Sequence, residues 1–509
     1  MTPSPTRAAV VRLVTALVVG VVAVVIVALA VHLGSSTPLG AEDNGDGYRL
    51  YCGAGLEPRT IDHIPSWKGG VVLDFATKVG TCNNPVDSSA LVILQLATLG
   101  RTGTFSLATL GWWYAVLVGV AAAVGAWAAS AGGRRRALLA LVPVLPLGLA
   151  TFSRFFVSTF GEAGGLLGAT TLGCGVAAVA ATRPEHRGAR VAALALVVVG
   201  GVTAGLAKVA FVPVLAVSVL VCAVVAVGSG RRRRLVGPAV AVVLAAGVAL
   251  PWASTVAHQD EVYGSANAHD LVFTLAFREL GPAAAAPLGL PPEAAAFTGA
   301  GYFNGPPRPT APWWRTAILD DPSTTRHRVY ELLAAHPAVV ARAVGVGLEA
   351  TTRADLPYLP STPADPAVLS PPSGDPGWSG ARQPDFQIQL DASRRPPWIP
   401  TVLVVLGVLA LMLAPVLRRR SPGAARWGAA AGLAALTALG IVVVAVLGDG
   451  YFEVFKHVWL ASYFLALTGL ALVGMVAAVA RPRWAGRRRR RAGGFPDAER
   501  QRGAPAEIR

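Results

Sequence analysis

The chain has 509 residues, of which 53% are hydrophobic and only 14% charged, with a formal net charge of +16. A soluble protein of this size carries about 25% charged residues, so the deficit makes lipid the main solvent and excludes an ordinary soluble enzyme. The positive charge does not point to nucleic acid, because the arginines stand in short blocks between apolar runs and not as a basic patch interleaved with aromatics.

Apolar runs near 20 residues are long enough to cross a bilayer core as helix, and backbone in hydrocarbon must be bonded within its own segment. The first such run, 8–31, follows Arg7 and Arg12. Its core is longer than a signal-peptide h-region and no small-residue cleavage site clearly follows, so it reads as an uncleaved first helix. Further spans are expected at 107–129, 137–152, 163–181, 191–206, 209–227, 235–256, 398–417, 427–447 and 458–480. The expected fold is an all-α polytopic membrane protein with about ten transmembrane helices. It divides into an N-terminal membrane domain (1–256, about seven spans), an extracytoplasmic Ala- and Pro-rich segment (257–397), a C-terminal membrane domain (398–480) and a basic, disordered cytoplasmic tail (481–509).

With ten spans, the blocks Arg134–Arg136, Arg183/Arg187/Arg190, Arg231–Arg234, Arg418–Arg420 and Arg487–Arg491 all fall on the side of the N-terminus. The positive-inside rule then puts both termini in the cytoplasm, with anionic membrane lipid as the partner of those blocks. The chain is expected in the cell membrane as a multi-pass protein.

Two large segments lie outside. The first outer loop, 32–106, holds an apolar stretch, 90–99, that is too short to span and is expected along the surface. Its Cys52 and Cys82 share an oxidising compartment, and the choice between a disulfide and two free thiols stays open. Cys174 and Cys222 fall in spans as small apolar groups. In the second segment, 270–280 reads as an amphipathic helix and 355–397, dense in Pro, Ser and Gly, as loop.

The outer helix ends carry the unusual chemistry. After the first span comes Ala41-Glu42-Asp43-Asn44-Gly45-Asp46-Gly47-Tyr48-Arg49, with three carboxylates that repel one another unless a cation, a proton or a positive group sits among them. A catalytic base or metal site is one reading and a solvated turn is the other. The third span ends in Ser153-Arg154 and leads through Ser158 to Glu162, a carboxylate comfortable at a helix start. The turn between the fifth and sixth spans holds Lys208 among apolar residues. The chain has four lysines against forty arginines, and all four (Lys68, Lys78, Lys208, Lys456) fall on the outer side. An ionisable group near membrane depth is costly and points to function unless it snorkels to the interface. After the ninth span comes Gly448-Asp449-Gly450-Tyr451-Phe452-Glu453-Val454-Phe455-Lys456-His457. If a helix starts there, Glu453, Lys456 and His457 share a face. A Lys and a His at such an end suit a phosphate; an ordinary Glu–Lys pair is the plainer alternative.

This constellation resembles the GT-C fold of membrane glycosyltransferases. More narrowly, Asp43 to Arg49, the Ser158–Glu162 turn and Gly448-Asp449-Gly450 with Glu453, Lys456 and His457 are similar to hexose transferases of bacterial glycan clusters (WsfD-like). The Arg- and Ala-rich composition also resembles that of actinobacterial chains. The resemblance implies an inverting glycosyltransferase of the cell envelope with a polyprenyl-phosphate sugar as donor. It implies Asp46 as catalytic base, with Asp43 second. Arg49, Arg154, Glu162, Lys208, Asp449, Glu453, Lys456 and His457 become substrate-binding candidates. A divalent cation is a possible cofactor. Gly47 stands where the family has an aromatic and Val157 where it has a polar residue, which bears on sugar specificity.

Three rivals make different demands. A transporter needs charged or broken segments at the midplane, whereas these spans are nearly free of charge. A lipid-linked polymer ligase depends on basic residues of the large loop, such as Arg278, Arg326 or His327. A non-enzymatic assembly protein makes no demand on the sequence.

Overall fold

The computed structural model describes residues 5–41, 46–59, 73–77, 82, 86–228, 230–303, 311–356, 359, 361 and 395–492. Asp43, Lys68 and Lys78, most of 355–397 and the tail beyond 492 lie outside the described residues. The protein is an α-helical bundle with one small sheet. Among the described residues eight helices are long and apolar enough to cross a membrane. They include α1 (Pro5–Ala30), α2 (Leu107–Ser130), α3 (Gly161–Ala181), α4 (Arg187–Gly205), α5 (Val236–Asp270), α6 (Ile399–Arg420) and α7 (Pro422–Asp449). The last, α8, begins at Trp459.

Lipid offers no hydrophobic drive between helices, so close packing of small residues holds them together. A Cβ on Gly20 of α1 would come 2.8 Å from Gly119 O of α2. A Cβ on Gly168 of α3 would come 2.6 Å from Gly200 O of α4. The Gly- and Ala-rich composition is thus what lets these backbones touch.

Two expected spans take another form. The run 137–152 is not one helix but a series of short turns, Arg134–Leu141, Leu145–Gly148, Ala150–Ser153 and Arg154–Val157. Pro143 and Pro146 remove backbone donors there and break the α ladder. The segment still runs the length of the bundle. Arg136 Nη1 donates to Ala181 O (2.6 Å) at one end, and Thr151 Oγ1 donates to Ala354 O (2.6 Å) at the other. Midway, Tyr463 Oη donates to Pro143 O at 2.7 Å, so irregular backbone is satisfied by protein, as hydrocarbon demands. The other is 209–227, where an apolar helix covers only Val209–Val224. The described residues thus hold eight candidate spans, or nine if the bent pair Pro322–Ala335 and Pro337–Arg353 is one, where the sequence predicts about ten, and the chain is an all-α polytopic membrane protein.

Arginines collect at one end. Arg12 donates to Ser130 Oγ and Trp127 O, both at 3.1 Å, and Arg190 Nη2 donates to Thr182 O at 2.8 Å. Helix α5 continues unbroken to Asp270, past the expected end at 256. The run 271–276 is a π-helix turn, not an amphipathic helix: Leu271, Val272, Phe273, Leu275 and Ala276 are all buried. Beyond it, Pro322–Ala335 and Pro337–Arg353 form a pair bent by 104°. The pair rests on α7, with Tyr330 Oη donating to Leu447 O at 3.1 Å.

In the first outer loop, Leu56–Pro58, Asp74–Thr77 and Thr104–Ser106 form an antiparallel sheet, with Leu56 opposite Thr77 and Asp74 opposite Ser106. Cys52 and Cys82 are joined by a disulfide, their Cα atoms 5.4 Å apart. The short apolar stretch forms a helix, Ser89–Thr98, with one face buried and Val92 and Leu96 exposed. Its start is fixed by Ser89 N donating to Leu206 O (3.0 Å) and Ser88 Oγ donating to Ala207 O (2.9 Å), beside Lys208.

Candidate functional site

Four segments far apart in sequence meet at the end of the bundle opposite the arginines, the end expected to face outward. The first brings Asp46, just before the short helix Tyr48–Gly53. The second brings Glu162, in the first turn of α3. The third brings Lys208, where the chain turns after α4. The fourth is Asp449 to His457, between α7 and α8.

The fourth segment is shaped by two left-handed residues. Gly450 has φ +62°, which glycine adopts without penalty. A Cβ there would lie 2.5 Å from Thr274 Oγ1, so the position also has no room. Glu453 has φ +44°, an unusual conformation for a residue with a side chain. It starts the four-residue helix Val454–His457, and its backbone carbonyl accepts from Lys456 N at 2.9 Å. Strain held at one residue is a recurring mark of functional sites.

Lys456 is fully buried. Its ammonium donates to Asp46 Oδ2, lies 3.6 Å from Glu453 Oε2, and sits 4.7 Å from the centroid of the Phe160 ring. Lys208 Nζ donates to Glu162 Oε1 at 2.9 Å, with Glu162 itself buried. His457 places Nδ1 3.1 Å from Asp449 Oδ2 and Nε2 3.9 Å from Glu453 Oε2. Arg49 stacks over the Tyr263 ring at 4.2 Å, tying the Asp46 loop to α5.

Charge sets the protonation of these groups. Withdrawal from water alone would raise the Asp46 carboxyl. The ammonium of Lys456, then that of Lys208, outweighs it and holds the acid well below the usual carboxylate range. Burial would lower Lys456, but Asp46, Glu453 and Glu162 more than reverse that and keep it charged. His457 is pushed well below 6.5, first by burial and then by repulsion from Lys208 and Lys456, so it is neutral near pH 7.

Of the residues singled out from sequence, Asp46, Glu162, Lys208, Asp449, Glu453, Lys456 and His457 converge, with Arg49 beside Asp46. Arg154 is held by a different part of the chain. Its buried guanidinium donates instead to Asp355 O (2.5 Å) and Leu359 O (2.7 Å), anchoring the chain where it leaves the bent helix pair. Asp43 lies outside the described residues. The basic residues that a ligase would use are dispersed in local contacts: Arg326 pairs with Asp260 at 2.5 Å, and exposed His327 lies 3.3 Å from Glu331. Among the described residues no three His, Cys, Asp or Glu side chains are grouped to hold a metal ion. Here the lysine ammoniums stand between the acids, so no step is routed through a divalent cation.

Sequence reasoning missed Asp270, which is fully buried at the end of α5. Thr274 Oγ1 donates to Asp270 O (2.6 Å) and accepts from Tyr451 N (2.8 Å), locking this turn to the 448–451 turn. An acid beside a histidine, directly ahead of the largely apolar stretch 271–277, was the available signal.

The fold and the site together define a polytopic membrane protein whose polar cluster sits at the helix ends opposite the arginine blocks. Residues 6–351 match the family described as the YfdI N-terminal transmembrane domain, and the chain belongs to that family. No curated protein and no solved structure matches it.

Proposed function

We propose that this protein is a membrane glycosyltransferase that takes a sugar from a polyprenyl-phosphate donor at the outer face and passes it to an acceptor hydroxyl. The observation that carries the reading is the ion pair of Asp46 with buried Lys456, beside Lys208–Glu162 and Asp449–His457, at the lipid–water boundary. A donor with a long lipid tail and a charged phosphate needs both surroundings at one place.

The chemistry follows from the charges. Asp46 takes the proton of the acceptor hydroxyl as its oxygen attacks the anomeric carbon. The bond from that carbon to the phosphate oxygen breaks on the opposite side, and the phosphate leaves with the electron pair, inverting the centre. Lys456 and Lys208 oppose the negative charge that develops on it, which favours the transition state over the bound donor. A carboxylate held by an ammonium is a weak base. When the donor phosphate engages Lys456, Asp46 loses part of that stabilisation and becomes a stronger one, so base strength is coupled to donor occupancy. His457, neutral and giving its one N–H to Asp449, leaves Nε2 as a hydrogen-bond acceptor and adds no further charge.

The test is transfer in membranes or nanodiscs supplied with synthetic polyprenyl-phosphate hexoses, read as release of polyprenyl phosphate. Wild-type turnover that Asp46→Asn abolishes, with expression intact, is the expected result. Absence of turnover with every hexose donor tried would overturn the reading, and full activity in Asp46→Asn would remove its base.

A further inference from the structure

Asp270 is wholly buried, and its two oxygens are unequal. Oδ1 accepts from Tyr302 N at 2.7 Å. Oδ2 is buried and has no hydrogen-bond partner among the described residues. An unmet carboxyl oxygen away from water is costly, and one kept in a fold calls for an explanation such as a ligand that completes it. The helix changes to a π turn at Leu271–Ala276, directly after this residue, and π turns are frequent at functional sites.

The surroundings match a sugar. Next to Asp270, His269 is fixed as a neutral ring: Trp314 Nε1 donates to its Nδ1 at 3.0 Å, and its Nε2 faces Ala300 O at 3.1 Å. The Tyr302 ring lies 5.7 Å from that of His269. Phe303, 46% exposed, lies 6.3 Å from Phe452, which follows the 448–451 turn. Aromatic faces beside a buried acid suit the C–H faces and hydroxyls of a hexose. The subsite is one turn from the phosphate cations, because Asp270 O would lie 2.7 Å from a Cβ at Gly450, and Asp449 pairs with His457 next to Lys456.

We infer that Asp270 is a specificity-determining residue of the donor's sugar subsite, with Oδ2 taking a hydroxyl of the hexose and the exposed Phe303 ring, backed by Phe452, lying against one face of the sugar. This rests on the glycosyl-transfer reading and adds which residues read the sugar. Asp270→Asn tests it well, since Asn keeps an oxygen for Tyr302 N and replaces only the unmet acceptor by an amide donor.

The experiment uses the full chain in nanodiscs and measures Kd for farnesyl phosphate and for farnesyl-phosphate glucose, galactose and mannose. In the wild type one hexose donor should bind tighter than the others. Asp270→Asn should leave farnesyl phosphate binding within about twofold, weaken the preferred donor about tenfold, and flatten the preference among epimers, as loss of one buried hydrogen bond predicts. Phe303→Ala, on an exposed ring, should weaken the same donor and spare farnesyl phosphate. If Asp270→Asn does not fold, the Phe303→Ala pair of Kd values decides in the same way. Unchanged hexose preference in these variants, with farnesyl phosphate still bound, overturns the subsite alone. Failure of the wild type to bind any of the four lipids overturns the glycosyl-transfer reading and the subsite with it.

Discussion

Asp46 and Lys456 are 410 positions apart in the chain and meet in an ion pair at the outer end of the bundle. The lysine is fully buried, whereas Asp46 keeps 41% of its side chain exposed. The acid therefore faces solvent, and the cation lies behind it. If Asp46 is the base, Asp46→Asn loses roughly 10²–10⁴-fold in kcat, the range for a general base. Donor KM should change little, because the amide still caps the lysine. A loss confined to KM would count against the role.

Lys456→Ala separates binding from folding. It leaves Asp46 and Glu453 facing each other with no cation between. Removing one partner of a fully dry pair costs about 3–5 kcal/mol. The cost here is discounted to roughly 2–4 kcal/mol because Asp46 is partly solvated. Thermal unfolding in detergent measures it. Donor affinity should fall in parallel at a temperature where the variant is folded, and an unchanged apparent affinity would sink the phosphate role.

The outer clusters were legible because they contrast with their setting: carboxylates and lysines stand out in a chain that is 53% hydrophobic. Their convergence was not legible from any local pattern, since it depends on helices touching at Gly20–Gly119 and Gly168–Gly200. The broken third passage carried a signal in Pro143 and Pro146, but hydrophobicity alone reads it as a helix. Helix α5 outruns its apolar stretch because a nucleated helix propagates at little cost and its last turn, Ala266 and Ala268 to Asp270, is buried against the rest of the protein. Asp270 stayed hidden because the run after it looks amphipathic, while burial on all sides is set by the bent helix pair folding over it. Arg154 looked like a site residue because an outer arginine breaks the charge trend; its acceptors, backbone carbonyls 201 and 205 positions away, carry no sequence signal.

Gly450→Ala tests the turn that joins the cation site to Asp270. A side chain at φ +62° costs about 1–2 kcal/mol, and the new Cβ would stand 2.5 Å from Thr274 Oγ1. Stability should fall by roughly 2–3 kcal/mol in total. Both the Tyr451 N to Thr274 Oγ1 bond and activity should be lost together. A variant with wild-type melting and turnover would show that the turn is not held this tightly.

The orientation can be read by labelling. Lys456 is buried and unsuited to it, so Tyr48, 41% exposed beside the site, is the outer probe. A cysteine at Tyr48 should react with a membrane-impermeant maleimide on intact cells. One at Arg419, in the basic last turn of α6, should react only after permeabilisation. The native cysteines give little background, since Cys52 and Cys82 are bridged and Cys174 and Cys222 are buried. The reverse pattern would invert the topology and remove the outer site.

His457 gives the pH dependence its direction. Its folded pKa lies well below the ordinary 6.5 because of burial and two nearby ammoniums. Below 6.5 the unfolded chain binds a proton that the folded chain refuses. Stability is therefore whole above 6.5 and falls as the pH drops, by up to about 1.4 kcal/mol per pH unit for one group. Asp46, depressed below 3.8 chiefly because Lys456 outweighs the effect of burial, acts with the same sign lower down. Its contribution is complete above 3.8 and is lost as the pH falls through its folded value. Melting curves between pH 7.5 and 5 should show the first loss, and His457→Gln should remove that slope while leaving the acid limb. A wild-type protein that gains stability on acidification across this window would contradict a neutral, buried His457.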